Sequence, residues 1–467
     1  MKHITKMYKF HKIALLITFG LFASCATYNM QVDSTKTTQS NSSDKTLSHT
    51  FYLVGDVGHQ KESATQNKVL LELKNKLQSE SKDASILFLG DNVSSDGFPK
   101  KKHPSYASTI ANLQSQIDVV DGFKGTTLFI PGNQDWYSED GLQGLKRQEK
   151  FIEEQLKNSS FLPNNGCPID KIDISDDIVL IVIDSQWYLE DWNEHPTVND
   201  DCEIKTRAKF FDEFEGLIKK NRDKTTLVAL HHPMFSNGPH GGQYSAKEHL
   251  SPLPIVGSLK NLIRKTGGIS TQDIQNKNYQ KLRNRIVTIS QESKKVIFVS
   301  GHEHSLQFIK QDNLPQIISG ASAKVSATKS SKNGVFSYGG LGYAKLDVFT
   351  DGSSKVSFYS VDDSGSKEIF TSDVLQKDRE VELKDYPAVK GKSAVSSVYA
   401  KEETDKSGFF KYLWGDRYRK YYSQGIEAPI VDLDTLFGGL TPVRKGGGHQ
   451  SKSVRLENWL VLILIKD

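Results

Sequence analysis

The stretch Ile86-Leu-Phe-Leu-Gly-Asp-Asn92 decides the fold class, because four apolar residues end abruptly in glycine, aspartate and asparagine. Such a run is typical of a strand buried on both faces. Similar runs recur at Phe51–Val54, Ile86–Leu89, Thr127–Ile130, Ile178–Ile183, Thr226–Leu230 and Val296–Val299. Helical patterns separate them near Glu62–Glu80, Tyr106–Val119, Leu145–Leu156, Lys205–Lys219 and Asn278–Ser290. This alternation predicts an α/β sheet covered by helices on both faces.

The rhythm changes after Gly301, where short strand-like segments follow one another without helices. They are Leu306–Lys310, Gln316–Ser319, Tyr343–Phe349 and Lys355–Ser360. We expect them to form a second sheet packed on the first. Ligands of α/β sheets bind beyond the carboxyl ends of the strands, so we expect the functional site there.

Five polar motifs follow predicted strands. In chain order they are Gly55-Asp56-Val57-Gly58-His59, Gly90-Asp91-Asn92, Gly132-Asn133-Gln134-Asp135, His231-His232-Pro233 and Gly301-His302-Glu303-His304. Each motif alone is weak evidence, because Gly-Asp or Gly-Asn after a strand is more often a plain turn and Gly-His-x-His is as often a turn as a metal site. Together they predict three carboxylate or amide oxygens and three imidazoles on one edge of one sheet. This mixture of donors suits Fe, Mn or Zn, and two such ions need a bridging carboxylate, for which Asp91 is the natural candidate.

The order of these motifs resembles that of the calcineurin-like metallophosphoesterase superfamily over roughly residues 49–360. Gly55-Asp-x-Gly58 and Gly301-His-Glu-His-Ser-Leu-Gln307 resemble its purple acid phosphatase branch. The resemblance implies a four-layer α/β/β/α sandwich of two mixed sheets, with two metal ions at the strand ends and phosphate esters as substrates. It assigns Asp56 and His304 to the first metal, Asn133, His231 and His302 to the second, and Asp91 to both.

The sequence departs from that branch at two positions. Ser94 stands where the branch has a metal-binding tyrosine, so the Fe(III) preference is not implied, and His59 or water would complete the first metal's ligands. Gln134 replaces a histidine near the substrate, which weakens proton donation from that position. His240, in the loop Ser236–Gly242, resembles another histidine of the branch, and a solvated loop histidine is the alternative. We predict catalytic roles for His240, Asp91 and Asn133.

The first 24 residues resemble a lipoprotein signal peptide, with four lysines, an apolar run and the lipobox-like ending Leu21-Phe-Ala-Ser-Cys25. This resemblance implies cleavage before Cys25, lipidation of the Cys25 thiol and amine, and a membrane anchor in the cell envelope, at the outer membrane or facing the periplasm. An ordinary signal peptide with an incidental cysteine is the alternative, and either places the mature protein outside the cytoplasm. Residues 25–48 are polar and predict a flexible tether.

Cys167 and Cys202 flank the strand-like run at Ile178–Ile183. Two cysteines in an oxidising compartment favour a disulfide, with two reduced thiols as the alternative.

Residues 49–371 form the predicted metallophosphoesterase domain, and 372–467 form a C-terminal extension. Its segments Trp414–Tyr422 and Pro442–Gln450 resemble a linker that precedes an outer-membrane barrel in longer envelope proteins. That resemblance implies a truncated or split version of such a protein.

The formal net charge of +4 equals the charge of the four lysines before Cys25, so the mature chain is near neutral and nucleic acid is not an expected partner. Two functions remain: a phosphomonoesterase or diesterase that uses metal-activated water, and a catalytically weakened binding module of the cell envelope. The oligomeric state stays open.

Overall fold

The computed structural model describes residues 25–38, 45–59, 67–193 and 197–377. The strands are β1 (Gln31–Val32), β2 (Leu47–Val54), β3 (Ala84–Phe88), β4 (Thr126–Phe129), β5 (Ile169–Asp173), β6 (Ile178–Ile183), β7 (Thr225–Leu230), β8 (Val296–Ser300), β9 (Leu306–Gln311), β10 (Leu314–Ser319), β11 (Gly334–Tyr338), β12 (Gly342–Phe349), β13 (Ser354–Asp362) and β14 (Gly365–Asp373). The helices are α1 (Lys68–Leu77), α2 (Tyr106–Val119), α3 (Leu142–Leu156), α4 (Ser185–Leu189), α5 (Arg207–Lys220), α6 (Ala246–Leu250), α7 (Pro254–Gly267) and α8 (Lys277–Ser290).

The described strands form two mixed sheets. One has the order β1-β11-β9-β10-β8-β7-β6-β5, and the other β14-β13-β12-β2-β3-β4. Strands β6, β7, β8 and β10 are parallel in the first sheet, as are β2, β3 and β4 in the second. The predicted α/β fold of two mixed sheets with helices is therefore confirmed.

Alternate residues of each central strand enter two different cores. In β6, Leu180 and Val182 belong to a cluster that includes Phe51 and Leu87 of the other sheet. Ile181 belongs to a second cluster, with residues of the covering helices. Burial on both faces explains why these strands appear in the sequence as continuous apolar runs.

The predicted division between the sheets is wrong. Strands β9 and β10 extend the sheet of β6, β7 and β8, whereas β12 and β13 extend the sheet of β2. The physical reason is that β12 pairs antiparallel with β2, placing Leu346 opposite Phe51. Order along the chain carries no information about this pairing.

The amino-terminal segment differs from the predicted tether. Ala26 forms a bridge with Ser245, and β1 pairs with β11. At the other end, β14 continues through Thr371 to Asp373. Residues 1–24 and 378–467 lie outside the described residues. They comprise the predicted signal peptide and most of the predicted C-terminal extension. Among the described residues, none of the helices combines the length and apolar character needed to span a bilayer.

Cys167 and Cys202 form the predicted disulfide, with their Cα atoms 5.4 Å apart. It ties the segment before β5 to the loop before α5.

We predict that His49, at the base of β2, makes the fold sensitive to acid. It is buried beside Ser85, with Nε2 2.8 Å from Oγ, and burial lowers its pKa from 6.5 to about 4. Between these pH values the unfolded chain binds more protons, so the free energy of unfolding falls as the pH falls. Replacing His49 with glutamine should reduce this fall by at least about 1 kcal/mol, measured by urea unfolding at pH 7 and pH 4. Equal pH dependence in both proteins would contradict the assignment.

Candidate metal centre

Both sheets contribute to the candidate metal centre. Asp56, Asp91 and Asn133 follow β2, β3 and β4 of one sheet, whereas His231, His302 and His304 follow β7 and β8 of the other. The six residues lie at strand carboxyl ends, as predicted. The expectation that they share one edge of one sheet is wrong, because β2, β3 and β4 belong to a different sheet from β7 and β8.

Four of these residues have a left-handed backbone. The φ angles are 62° at Asp56, 52° at Asp91, 72° at His302 and 36° at His304. For residues other than glycine this conformation costs about 1–3 kcal/mol each, and it persists where the surrounding structure fixes it. The sharp turns direct short side chains into one space at the junction of the sheets.

Glycines allow the loops to approach one another. A Cβ at Gly132 would lie 2.3 Å from Oδ1 of Asp91, and one at Gly320 would lie 2.4 Å from Oδ2 of Asp56. Both distances are shorter than any non-bonded contact. Larger residues at these positions would displace the two carboxylates.

One part of the centre surrounds His231. Its Nε2 lies 3.1 Å from Oδ1 of Asn133, 3.3 Å from Oδ1 of Asp91 and 3.3 Å from Nδ1 of His302. The three predicted ligands of the second metal and the predicted bridging residue, Asp91, therefore each bring one donor atom to the same place.

The other part lies around Asp56 and His59. Nε2 of His304 is 3.4 Å from Oδ1 of Asp56, and Nε2 of His59 is 3.5 Å from Oδ2 of Asp91. Ligand atoms of Asp56, His59 and His304 all lie within 4.8 Å of one another, as do those of Asp56, Asp91 and His231. The structure thus brings His59 to the place where a further ligand was expected.

Each of the three predicted histidine ligands has its outer ring nitrogen near a fixed oxygen. Nδ1 of His231 is 2.8 Å from the carbonyl oxygen of Leu89, and Nε2 of His302 is 3.0 Å from that of Gln272. Nδ1 of His304 is 3.4 Å from Oγ of Ser326. Such contacts orient an imidazole and leave its inner nitrogen for a metal.

The electrostatics also suit a cation. Burial would raise the pKa of Asp91, yet the neighbouring His231 and His59 hold it well below its ordinary range. Burial would lower the pKa of His231, but the Asp91 carboxylate raises it. The two side chains therefore form an ion pair, in which a bound cation would replace the imidazolium proton.

His302 and His304 differ from His231 in protonation. Burial, together with His240 and His232, lowers the pKa of His302, and burial lowers that of His304. Both imidazoles are therefore neutral near pH 7 and have a lone pair for a metal.

A buried carboxylate oxygen of Asp56 that lacks a hydrogen-bond partner indicates whether the residues fit a metal. Oδ1 of Asp56 is buried and has no hydrogen-bond partner, although Oδ2 accepts a hydrogen bond of 2.8 Å from the amide of His302. A buried carboxylate oxygen without a donor is costly. A cation between Asp56 and His304 would satisfy it, so the donor set fits the predicted metals.

Asp135 holds two of the loops together, a role that the sequence analysis missed. Its carboxylate accepts hydrogen bonds from the amides of Gly132 at 2.6 Å, Asn92 at 3.1 Å and Val93 at 3.2 Å. It also accepts one of 2.9 Å from the side chain of Gln148. Burial, followed by the charge of Asp91, raises its pKa to about 7. The one sequence signal for this role is the position of Asp135 at the end of the motif Gly132-Asn133-Gln134-Asp135.

His240 lies beside the centre, with its ring centroid 4.2 Å from that of His302. Its Nδ1 is 2.9 Å from Oδ1 of Asp273, which also pairs with Arg264 at 2.6 Å. The buried carboxylate of Glu303 accepts a hydrogen bond of 3.3 Å from the His240 amide. His240 is thus positioned by its partners and is not a freely solvated loop residue.

The two departures from the purple acid phosphatase pattern differ in their surroundings. The Gln134 side chain points to His59, with its Nε2 2.6 Å from Nε2 of His59. The backbone N–H of Gln134 donates a 2.9 Å hydrogen bond to Oδ1 of Asp91. Ser94 is only partly buried. Tyr137, which the sequence analysis missed, accepts a hydrogen bond of 3.2 Å from the Asn133 side chain.

His232 is not part of the ligand set. It is buried, its Nδ1 lies 2.8 Å from Oγ of Ser185, and burial lowers its pKa to about 3.

Paired mixed sheets with carboxylates and imidazoles at their strand ends define the class of metallophosphoesterases. The chain belongs to the calcineurin-like phosphoesterase family, whose sequence model matches residues 49–306. The matched range contains all six residues that were predicted to bind metal. No curated protein matches the sequence closely enough to count as a relative.

Several solved structures are similar to this chain. GAP50 of Plasmodium, described as the anchor in the inner membrane complex, is 14% identical, with 71% of this chain and 90% of that chain covered and a TM-score of 0.43. Purple acid phosphatase PPD1 of yellow lupin is 11% identical, with 70% and 53% covered and a TM-score of 0.45. NAD nucleotidase of Haemophilus influenzae is 13% identical, with 69% and 53% covered and a TM-score of 0.33. The chain spans about half the length of the latter two.

We predict that replacing Asp135 with asparagine destabilises the protein and weakens metal binding. Asparagine has one acceptor oxygen for several donors, and its amide nitrogen would face the amides of Asn92 or Gly132. We expect a loss of about 2–4 kcal/mol in unfolding free energy and at least a tenfold loss in metal affinity. Denaturant unfolding and metal titration measure these changes. Asp118→Asn, on an exposed face of α2, is the control; equal effects of both substitutions would rule out the proposed role.

Proposed function

We propose that this protein is a dinuclear, metal-dependent phosphoric ester hydrolase of the acid phosphatase type, acting on phosphomonoesters or diesters. The observation that carries the proposal is the meeting of six nitrogen and oxygen donors at the junction of the sheets, with Oδ1 of Asp56 buried and unsatisfied. Family membership supports phosphate ester hydrolysis.

The contacts support a specific division of ligands. Asp56 and His304 would hold the first metal, with His59 or water as a further ligand, and Asn133, His231 and His302 would hold the second. Asp91 would serve both, because its Oδ1 faces His231 and its Oδ2 faces His59. Fe, Mn or Zn would suit these donors.

Bound ions of this kind would act as Lewis acids, lower the pKa of a water molecule and stabilise charge on the phosphoryl oxygens. The chain's own residues hold the donors in place. The carbonyl oxygens of Leu89 and Gln272 orient His231 and His302, so little reorganisation is needed when charge develops.

His240 would contact the phosphate or donate a proton to the leaving group. Asp273 lies 2.9 Å from Nδ1 and can hold a proton there; as a proton donor His240 would carry a second proton on Nε2, and without it Nε2 would accept a hydrogen bond from the substrate. Arg264 in turn orients Asp273 through two contacts, of 2.9 and 2.6 Å.

We also propose that the protein is anchored in the cell envelope through a lipid on Cys25, at the outer membrane or facing the periplasm. The lipobox-like sequence supports this proposal, and the disulfide between Cys167 and Cys202 agrees with an oxidising compartment. We propose that the segments Trp414–Tyr422 and Pro442–Gln450 correspond to the linker that precedes an outer-membrane barrel in longer envelope proteins.

A second candidate function is a binding module with weakened catalysis. The observation that favours it is Gln134, whose side chain contacts His59 in place of a histidine that could donate a proton. Such a protein would retain the metal ligands but turn over slowly.

We predict that replacing Asp91 with asparagine abolishes turnover and reduces metal content. The substitution removes the charge that would bridge two cations, and we expect a loss of at least about 10³-fold in kcat/KM for a chromogenic phosphomonoester. Elemental analysis of the same protein should show fewer metals per chain. Asp118→Asn is the matched control. An unchanged kcat/KM in the Asp91 variant would contradict the proposed site.

We predict that replacing Gln134 with histidine raises kcat, because an imidazole could transfer a proton where the amide cannot. General acid catalysis contributes about 10²–10⁴-fold when fully developed, so at least a tenfold gain is expected. The pH profile of kcat should gain a new ionisation. A variant that binds metals fully yet shows no gain would favour the binding module.

A further inference from the structure

The exposed apolar residues of the described chain are concentrated in two segments. Among the exposed large hydrophobic residues, three lie between residues 28 and 32 and seven between 250 and 269. Residues just outside these segments contact each other: Ala26 bridges to Ser245, the residue before α6, and the Ala26 amide donates a 2.9 Å hydrogen bond to the carbonyl of Tyr244. The predicted lipid attachment residue, Cys25, is therefore next in sequence to a residue that contacts the start of α6.

Helix α7 presents its apolar face outward. Val256, Leu259 and Leu262 are 48%, 42% and 56% exposed, whereas Asn261 is 4% exposed. Gly257 is buried against α6, where a Cβ would lie 2.6 Å from the carbonyl oxygen of His249. A surface helix of a globular domain normally has the opposite polarity, with its apolar stripe inward.

Basic residues surround this apolar surface. Residues 246–269 contain Lys247, Lys260, Arg264 and Lys265 but a single acidic residue, Glu248. Lys247, Lys260 and Lys265 are exposed. An amphipathic helix with apolar residues on one face and lysines around them binds at the interface of an anionic bilayer.

We propose that the surface formed by α6, α7 and Ile269, which we name the α6–α7 face, rests on an anionic phospholipid bilayer next to the anchor at Cys25. The lipid proposed at Cys25 would hold the chain at the membrane, and a second attachment through the folded domain would fix that domain against the bilayer. The α6–α7 face supplies that second attachment. The proposal rests on the position of Ala26 and on the exposed face, and it is independent of phosphoesterase activity.

The α6–α7 face would also fix the orientation of the metal centre relative to the membrane. Arg264 of α7 pairs with Asp273, and Asp273 contacts His240 beside the centre. If α7 rests on the bilayer, the contacts from Arg264 through Asp273 to His240 would hold the metal centre at a fixed position relative to the membrane.

The test is vesicle binding by the chain from residue 25 onward with Cys25→Ser, so that no lipid is attached. Vesicles of phosphatidylethanolamine with phosphatidylglycerol are compared with vesicles of phosphatidylcholine, by flotation at low and high salt. We expect binding to the anionic vesicles that weakens with salt. Combining Leu259→Glu with Leu262→Glu should weaken binding at least about tenfold, since each leucine loses its apolar burial and gains a repelled charge.

The matched control is Leu71→Glu, because Leu71 is 50% exposed on α1, away from this surface. It should bind vesicles as the parent does. Circular dichroism and urea unfolding verify that each variant is folded. An emission shift to shorter wavelength in Leu262→Trp on adding anionic vesicles would place the α6–α7 face in the interface.

Absence of binding by the parent chain to anionic vesicles would overturn the proposal and indicate that another part of the chain or a protein covers this surface. Equal binding by the double variant and the parent would also overturn it. Neither outcome depends on turnover, so the proposed hydrolase function would be judged separately.

Discussion

The hydrogen bond from the amide of His302 to Oδ2 of Asp56 joins the two sheets at the metal centre. Asp56 follows β2 of the six-stranded sheet, and His302 follows β8 of the eight-stranded sheet. Because both residues have positive φ angles, their loops turn toward each other instead of continuing the strands. Displacing either loop would separate the oxygen donors from most of the nitrogen donors, so this contact controls the geometry of the whole site.

The buried charge at this junction limits what the site can be. Asp56, Asp91 and Asp135 are almost completely buried, and only Asp135 has several backbone donors around its carboxylate. The positive partner of Asp91 is His231, whose pKa it raises. An apolar core would be more stable than such a cluster unless cations offset the carboxylates. The arrangement is therefore better explained by metal binding than by stability.

The sequence predicted much of the fold because its strands are buried on both faces. Ile178–Ile183 and Tyr106–Val119 have the predicted bounds, since strong periodicity marks each element. The division between sheets was not predictable, because the pairing of β12 with β2 depends on contacts across almost 300 residues. Helix α7 escaped prediction because it has its apolar residues on the solvent side, where the usual pattern of burial does not apply.

The same contrast applies within the site. The six donors were predictable because each follows a strand with its own short motif, whereas Asp135 acts through amides of the neighbouring loop, which a sequence does not display. Ser94 and Gln134 take no part in the contact between Asp56 and His302 that joins the sheets. The contact that joins the sheets is thus independent of the side chains at both positions. Substitution at Gln134 can therefore change proton transfer while the six predicted ligands are kept, whereas Ser94 leaves a ligand position of the first metal to His59 or water.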